Sequence, residues 1–418
     1  MPKLLSILWN SFKMSVQELH NNKLRSSLSL IGIAFGIFCI IGVLATVDSL
    51  KRKVQTDIMA LGSNTIYVDK WQYSGGPDYP WWKFVNRPLV KYSEVAFIKE
   101  KSSLAEYACY SNAVTTNLLY SNFQINNITI NGISEDFNKI QKVDIFAGRY
   151  LTETEFLRGN PVTVIGFENA QQLFGDAAKA VGKVVSFDGH HATIVGVVAK
   201  EGQSFVGSPF DYDHCSIISY RYFASLYNTN NTDYQPAILV KAKDNVPSTA
   251  LVDELEGIMR QVRKLSPSED DNFALNDINA LSANTEGIFA TLNIGGAVIA
   301  FLSLVVGAFG VANIMFVTVR ERTSQIGLKK AIGARKGTIL VEFLLESAFL
   351  CIIGGFVGLF FVWLLATVLG FFLPFAITIA PVIIIVALVI CIVLGVLSGI
   401  IPAFIAARMN PVEAIRSK

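Results

Sequence analysis

The stretch Val317-Thr318-Val319-Arg320-Glu321-Arg322-Thr323-Ser324-Gln325-Ile326-Gly327-Leu328-Lys329-Lys330-Ala331-Ile332-Gly333-Ala334-Arg335-Lys336-Gly337 sets six cations and one anion between two long apolar runs. Ile326, Leu328 and Ile332 add enough apolar surface for a short amphipathic helix inside it. A short cationic connection between apolar runs marks the cytoplasmic side of a membrane. The runs in the chain are Leu28 to Val47, Ile288 to Val319, Thr338 to Leu373 and Pro381 to Ala407. Each reaches the roughly 20 residues that a helix needs to cross about 30 Å of hydrocarbon.

Composition agrees with that reading. Hydrophobic residues make up 52% of the chain and charged ones 16%, against about 25% charged in ordinary soluble domains. The chain is therefore expected to be an integral membrane protein, and a net charge of +2 gives no sign of a nucleic-acid partner. Positive charge then sets the topology. Lys3, Lys13, Lys23 and Arg25 precede the first run, the quoted stretch joins the second to the third, and Arg408, Arg416 and Lys418 follow the fourth. All three regions are placed in the cytoplasm. The expected order is a cytoplasmic amphipathic helix at 1–26, lying on lipid with Leu4, Leu8, Phe12, Val16 and Leu19 inward, and a first span at 27–48. An extracytoplasmic domain at 49–285 follows, then a second span at 286–317, the loop at 318–337, a third span at 338–370, an uncharged outer turn at 371–380, a fourth span at 381–407 and a cytoplasmic tail at 408–418. The first run is too long for the apolar part of a cleaved signal, so it reads as an anchor that stays.

Past the first span, Val47, Leu50, Val54, Ile58 and Leu61 continue an apolar stripe at helical steps, which implies a stalk, with Ile278, Leu281 and Ile288 as the facing stripe. Between them strands and helices alternate. The order β-α-β-β and later β-α-β is that of a split ferredoxin-like α+β domain. This porter-like part is assigned to 49–136 and 236–280, and 137–235 to an inserted β-rich subdomain, in which Asp188-Gly189 reads as a two-residue hairpin turn. The fold class is thus a four-helix membrane protein carrying an α+β extracytoplasmic domain.

Catalytic chemistry is mostly missing from the sequence. It holds no Gly-x-x-x-x-Gly-Lys-[Ser/Thr] phosphate loop, no Gly-x-Ser-x-Gly elbow and no His-Glu-x-x-His helix. ATP is expected to be handled elsewhere, and the chain is not read as an enzyme. Asp188, His190, His191, Asp211, Asp213, His214 and Cys215 are capable of binding metal, but their spacing fits surface loops better than any ligand signature. Cys39, Cys351 and Cys391 lie in apolar runs; only Cys109 and Cys215 could meet in an oxidising compartment, and nothing favours a bridge between them.

Two further features stand out. An aromatic-rich loop with Trp71, Tyr73, Tyr79, Trp81, Trp82 and Phe84 suits contact with a partner or substrate, Trp71, Trp81 and Trp82 above all, or else covers the sheet. Glu342 and Glu346 are the acidic residues within the apolar runs, four apart and near the cytoplasmic end. They are either local ion-pair partners of the loop cations or a conformational latch. The rest of the apolar runs lacks the ionisable groups that solute conduits place at the midplane.

Several motifs resemble the MacB-type, or FtsX-like, permeases of ABC transporters. They are Asn22-Lys23-Leu24-Arg25-Ser26 before a glycine-dotted helix, Leu61 to Val68, Arg320 to Arg335, Phe343-Leu344-Leu345-Glu346, Gly399-Ile400-Ile401-Pro402-Ala403 and Asn410 to Arg416. The resemblance implies a homodimer or paired permease in a bacterial inner membrane, with a periplasmic porter and insertion, and a separate cytoplasmic ABC ATPase that supplies ATP and Mg. No cofactor would be bound by this chain itself. It also implies that the loop holds a coupling helix, so Arg320, Glu321, Arg322, Gln325, Ile326, Gly327, Lys329, Lys330, Ile332, Gly333 and Arg335 become the candidate ATPase-coupling residues. Ser324-Gln325 stands where such proteins commonly carry Arg-Glu. The implied work is export of drugs, peptides or lipid-linked cargo, with a periplasmic adaptor and an outer-membrane channel as further partners. An FtsX-like regulator of extracytoplasmic enzymes and a lipoprotein-releasing permease are the alternatives.

Overall fold

A computed structural model describes residues 23–73, 79–202, 211–229, 234–372 and 376–416. The amphipathic helix expected near the N-terminus lies outside them up to residue 22. The chain divides into two compact units, residues 52–287 and the remainder.

The four apolar runs form four helices long and apolar enough to cross a membrane: α1 (Lys23–Ala60), α9 (Ile278–Glu321), α11 (Lys336–Leu369) and α12 (Pro381–Arg408). Between them, α10 (Thr323–Ala331) joins α9 to α11, and α13 (Pro411–Arg416) follows α12. Two bounds differ from the sequence reading. The second apolar helix begins eight residues before 286, because Asp277 ends a strand and Ile278 starts the helix directly. Its far end runs on to Glu321, so Val319, Arg320 and Glu321 are helix and not loop. Of the stripe expected to face the stalk, Ile278 is buried but Ile288 is 61% exposed, and Phe289 is the buried neighbour. Successive helical residues lie about 100° apart, so a stripe extrapolated over ten positions is easily one residue out of phase.

Glycine sets how closely the apolar helices approach. A Cβ on Gly358 of α11 would lie 2.6 Å from the Ala34 carbonyl oxygen of α1, and one on Gly395 of α12 would lie 2.7 Å from the Ala348 Cα of α11. A Cβ on Gly399 would strike the Ser347 side chain, and one on Gly36 would sit 3.0 Å from the Ser303 carbonyl oxygen of α9. Small residues at such crossings let backbones meet where lipid offers no hydrophobic drive. Around these contacts Ile33, Ile37, Ile41, Met315, Phe343, Leu350 and Cys391 form one buried cluster. The turn between α11 and α12 is tied to α1, since Thr378 N donates to Ser49 Oγ at 3.0 Å.

The unit at 52–287 is built on one ten-stranded sheet. Its strands are β1 (Thr65–Asp69), β2 (Ala105–Tyr120), β3 (Phe123–Ile133), β4 (Ile145–Gly148), β5 (Val162–Ile165), β6 (Val184–Phe187), β7 (His190–Val198), β8 (Cys215–Ser219), β9 (Ala237–Ala242) and β10 (Ala274–Asp277). They run in the order β10-β1-β9-β2-β3-β8-β5-β7-β4, with β6 pairing β2 and β7. From β10 to β3 every pairing is antiparallel, and β3 then pairs β8 in parallel. Helices α3 (Tyr92–Lys101) and α8 (Ser248–Arg263) are joined by the buried Glu94–Arg263 ion pair at 3.1 Å. They cover a core of Ile66, Val68, Ile98, Tyr110, Val240, Leu251 and Leu255. The shorter helices are α2 (Trp81–Phe84), α4 (Phe137–Ile140), α5 (Glu153–Arg158), α6 (Phe167–Phe174) and α7 (Tyr220–Leu226). A second core around α6, α7 and β5 to β8 takes in Leu118, Ile125, Ile128 and Ile130 from the β2–β3 hairpin. Residues 137–235 therefore share both sheet and core with that hairpin, where the sequence reading drew a boundary at 136. The turn at Asp188-Gly189 has φ of 50° and 81°, the geometry of a two-residue hairpin of the I′ kind.

Cys109 and Cys215 are both buried and free. Four of the metal-capable side chains are engaged in hydrogen bonds within the domain. Asp188 accepts hydrogen bonds from Thr116 Oγ1 and Tyr227 Oη, the Asp213 carboxylate accepts from the Glu201 and Gly202 amides, and Asp211 meets His214.

Candidate functional site

The cationic stretch folds as three pieces: the last turn of α9, the helix α10, and a bend ending at Arg335 before α11. Gly333 makes that bend with φ of 97°, a backbone conformation that favours glycine. Residues on opposite sides of α10 separate sharply. Ile326 is 3% exposed and belongs to the apolar cluster of the helical unit, whereas Leu328 is 59% and Ile332 80% exposed. Positions 326 and 328 are about 200° apart on a helix, so the apolar surface of this short helix is divided between two sides. Ile326 anchors the helix, and Leu328 and Ile332 are the residues it displays.

Gly327 is also buried, because α13 lies against it. A Cβ there would come within 2.8 Å of Ala414 Cβ and 3.1 Å of Ile415 Cγ1. Val412 and Ile415 of α13 are 61% and 49% exposed, so they join Leu328 and Ile332 as accessible apolar surface. In the sequence the tail reads as a cationic cytoplasmic end carrying a family motif, and nothing there joins it to α10. Pro411 at the start of a helix and Asn410 before it, whose carbonyl accepts from Ala414 N, were the available signs of the helix itself.

Three cations fasten this assembly. Arg322 donates from one guanidinium nitrogen to Glu346 Oε1 at 3.1 Å, and the Glu346 side chain is 2% exposed. Lys329 Nζ pairs with Glu342 Oε1 at 2.6 Å. Lys330 Nζ donates to the Met409 carbonyl oxygen at 2.6 Å, just beyond the end of α12. Glu342 and Glu346, one turn apart on α11, thus hold the start and the end of α10 separately. Both glutamates are therefore ion-paired with cations of the connecting stretch. Arg320, Glu321, Ser324, Gln325, Arg335 and Lys336 are exposed, so the side away from the bundle mixes polar and apolar groups.

The aromatic loop is only partly described, since residues 74–78 fall outside the described residues. Trp81 and Trp82 are 59% and 61% exposed and meet edge to face at 6.1 Å. Trp71 is half-buried, with Lys70 Nζ 5.0 Å above its ring and its carbonyl accepting from Asn276. These tryptophans belong to the unit at 52–287 and do not join the α10 assembly.

Residues 26–258 match the MacB-like periplasmic core domain, and residues 297–411 match the FtsX-like permease C-terminal family. The chain is 31% identical over 352 residues to the macrolide export ATP-binding/permease protein MacB of Neisseria gonorrhoeae, which covers 83% of this chain and 51% of that protein. It is 30% identical over 374 residues to the protein of the same name from Salmonella typhimurium, covering 88% and 55%. The chain spans about half the length of these curated relatives. Among solved structures, the periplasmic region of MacB from Actinobacillus actinomycetemcomitans aligns with a TM-score of 0.43 at 19% identity, over 56% of this chain and 98% of that one. The extracellular domain of the noncanonic ABC-type transporter YknZ aligns with a TM-score of 0.39 at 18% identity, over 51% of this chain and 99% of that one.

Proposed function

Starting from the fact that this chain belongs to the MacB-like, FtsX-type ABC transporter permeases, we propose that it converts ATP-driven movement on the cytoplasmic side into movement of its extracytoplasmic domain. ATP is hydrolysed by a nucleotide-binding partner outside these 418 residues, and the product of the cycle is export of a drug, peptide or lipid-linked cargo. The observation that carries this reading is the α10 assembly. A short helix is held to the apolar bundle by Arg322–Glu346 and Lys329–Glu342 while it presents Leu328 and Ile332 outward. A push on the exposed side of α10 passes to α11 through two ion pairs and to the bundle core through Ile326. Four apolar helices packed through glycine, with ionisable groups confined to their ends, favour transmission of motion over conduction of a polar solute. On this reading α10, α13 and both termini are cytoplasmic, and the chain works as a dimer or paired with a second permease.

Charge placed on the displayed side tests the reading. Leu328→Asp together with Ile332→Asp is expected to abolish co-purification of the nucleotide-binding partner and its response to the permease, while the chain still folds. Retention of both would overturn the coupling assignment. Ile326→Asp is a poor substitute for this test, because it buries a carboxylate in the bundle.

The alternative, a regulator of extracytoplasmic enzymes that transports nothing, is weakened by the match of residues 26–258 to the MacB-like core domain. A pull-down through the extracytoplasmic domain separates the two readings. Cell-wall hydrolases in place of an adaptor or outer-membrane channel would favour regulation. The split ferredoxin-like reading of β1, α3, β2, β9, α8 and β10 is likewise kept as a proposal, supported by their antiparallel order β10-β1-β9-β2.

A further inference from the structure

The unit at 52–287 contains a cavity of about 560 Å³ between the segment 85–91 and the sheet. This lies inside the 300–1,000 Å³ range typical of small-molecule sites. Its chemistry is one-sided. Lys70, Arg87 and Lys91 line it, and none of the described lining residues is acidic. Its aromatic side is made by three tyrosines brought together from α3, β2 and α7. Tyr92 and Tyr220 stack at 4.6 Å with 27° between their planes, and Tyr110 meets Tyr220 edge-on at 4.7 Å.

The wall is held in place by backbone carbonyl acceptors and by Glu94, whose carboxylate accepts from Lys91 N and pairs with Arg263. The Arg87 guanidinium donates to the carbonyl oxygens of Lys70 at 3.2 Å and Asp271 at 2.9 Å. Arg263 donates to the Pro88 carbonyl, and Tyr110 Oη donates to that of Val90 at 3.3 Å. Carbonyl acceptors fix the position of Arg87, while the Asp270 and Asp271 carboxylates nearby offset part of its charge. Arg87 also stacks on Phe84 at 4.1 Å, which holds its plane. A cavity whose described lining holds three cations and three clustered tyrosines and no acidic residue suits a planar anion. The ring stacks on aromatic faces, and the charge is met by the cations.

We propose that this cavity binds a small aromatic anion, a carboxylate or sulfonate carried on a planar ring. The site is separate from α10, and the proposal does not depend on the coupling reading.

The test uses the full chain in detergent and naphthalene-2-sulfonate as the probe, followed by ligand-observed NMR and calorimetry, with 2-naphthalenemethanol as the uncharged counterpart. The sulfonate is expected to bind saturably and the alcohol at least tenfold more weakly. Lys91 is exposed, so Lys91→Glu should leave folding intact and weaken the sulfonate about tenfold, the size expected for reversing one contacting charge. Tyr220→Leu, which removes the stacking face, should weaken both probes. Equal binding of the two probes, unchanged affinity in Lys91→Glu, or no saturable sulfonate binding to the wild-type chain would each overturn the proposal. Retention of partner ATPase binding in these variants would keep this outcome distinct from that of the coupling test.

Discussion

At the scale of single residues, Arg322 and Glu346 carry the most consequence. Glu346 is almost fully enclosed while Arg322 keeps some contact with water, so the two are not equivalent to remove. Arg322→Gln breaks a largely buried ion pair from one side, which costs about 3–5 kcal/mol by analogy with other broken buried pairs. The expected result is a clear drop in the thermal midpoint of the purified protein. Replacing both, Arg322→Met with Glu346→Leu, should recover most of the loss, because an apolar pair of similar volume avoids the desolvation cost. A double variant as unstable as the single one would show that the ion pair itself sustains the fold. The two glutamates were visible in the sequence as anomalies in an apolar run. Their partners were not, because Arg322 and Lys329 were two of six candidate cations, and only the position of α10 on α11 selects them.

At the scale of elements, the helix crossings depend on a few glycines. Gly32, Gly36 and Gly42 dot α1, and Gly395 and Gly399 dot α12; small residues of this kind let helix backbones approach closely. Of these, Gly36, Gly395 and Gly399 would drive a Cβ into a neighbouring helix, while Gly32 and Gly42 have open space beside them. A closer approach to the backbone of α1 comes from Gly358, where a Cβ would lie 2.6 Å from the Ala34 carbonyl oxygen. Gly358→Ala and Gly395→Ala press a methyl onto backbone that cannot move aside, and about 1–3 kcal/mol of overpacking strain is expected for each. Gly32→Ala is the matched control and should change stability by less than about 0.5 kcal/mol, as for substitutions away from special features. Denaturation of the three variants in one detergent, side by side, checks the ranking; a Gly32→Ala variant as unstable as Gly395→Ala would contradict it. Glycine frequency was legible in the chain, but which side of each helix meets another was not.

At the scale of the whole molecule, the informative point is where α1 ends and the sheet begins. Leu61 follows the helix, and its carbonyl accepts from Tyr67 Oη at 2.8 Å and from Gln141 Nε2 at 3.2 Å. Gln141 also donates to Tyr67 Oη, and its Oε1 accepts from Tyr212 Oη at 2.6 Å. One buried amide thus joins the helix end, β1 and the segment before β8. Gln141→Leu removes the buried amide that bonds Leu61, Tyr67 and Tyr212 together, and a loss of about 1–3 kcal/mol is expected. If motion is handed from α1 to the sheet at Leu61, the variant should still bind the nucleotide-binding partner but stimulate its ATPase less. Unchanged stimulation would confine the network to local stability.

The sequence alone determined the four apolar helices, the cationic connection, the β-α alternation of the large domain, the Asp188-Gly189 turn and the family resemblance. These are local properties, set by hydrophobic period, turn chemistry and motif strings, and they survive whatever the distant parts of the chain do. Tertiary structure decided that Ile326 is an anchor and Leu328 and Ile332 a displayed surface, that α13 covers Gly327, that β3 carries the sheet across position 136, and that three tyrosines from separate elements line one cavity. Each of these depends on the phase of a helix or the partner of a strand. Those are fixed by packing between residues far apart in the chain, and no single stretch of sequence contains them.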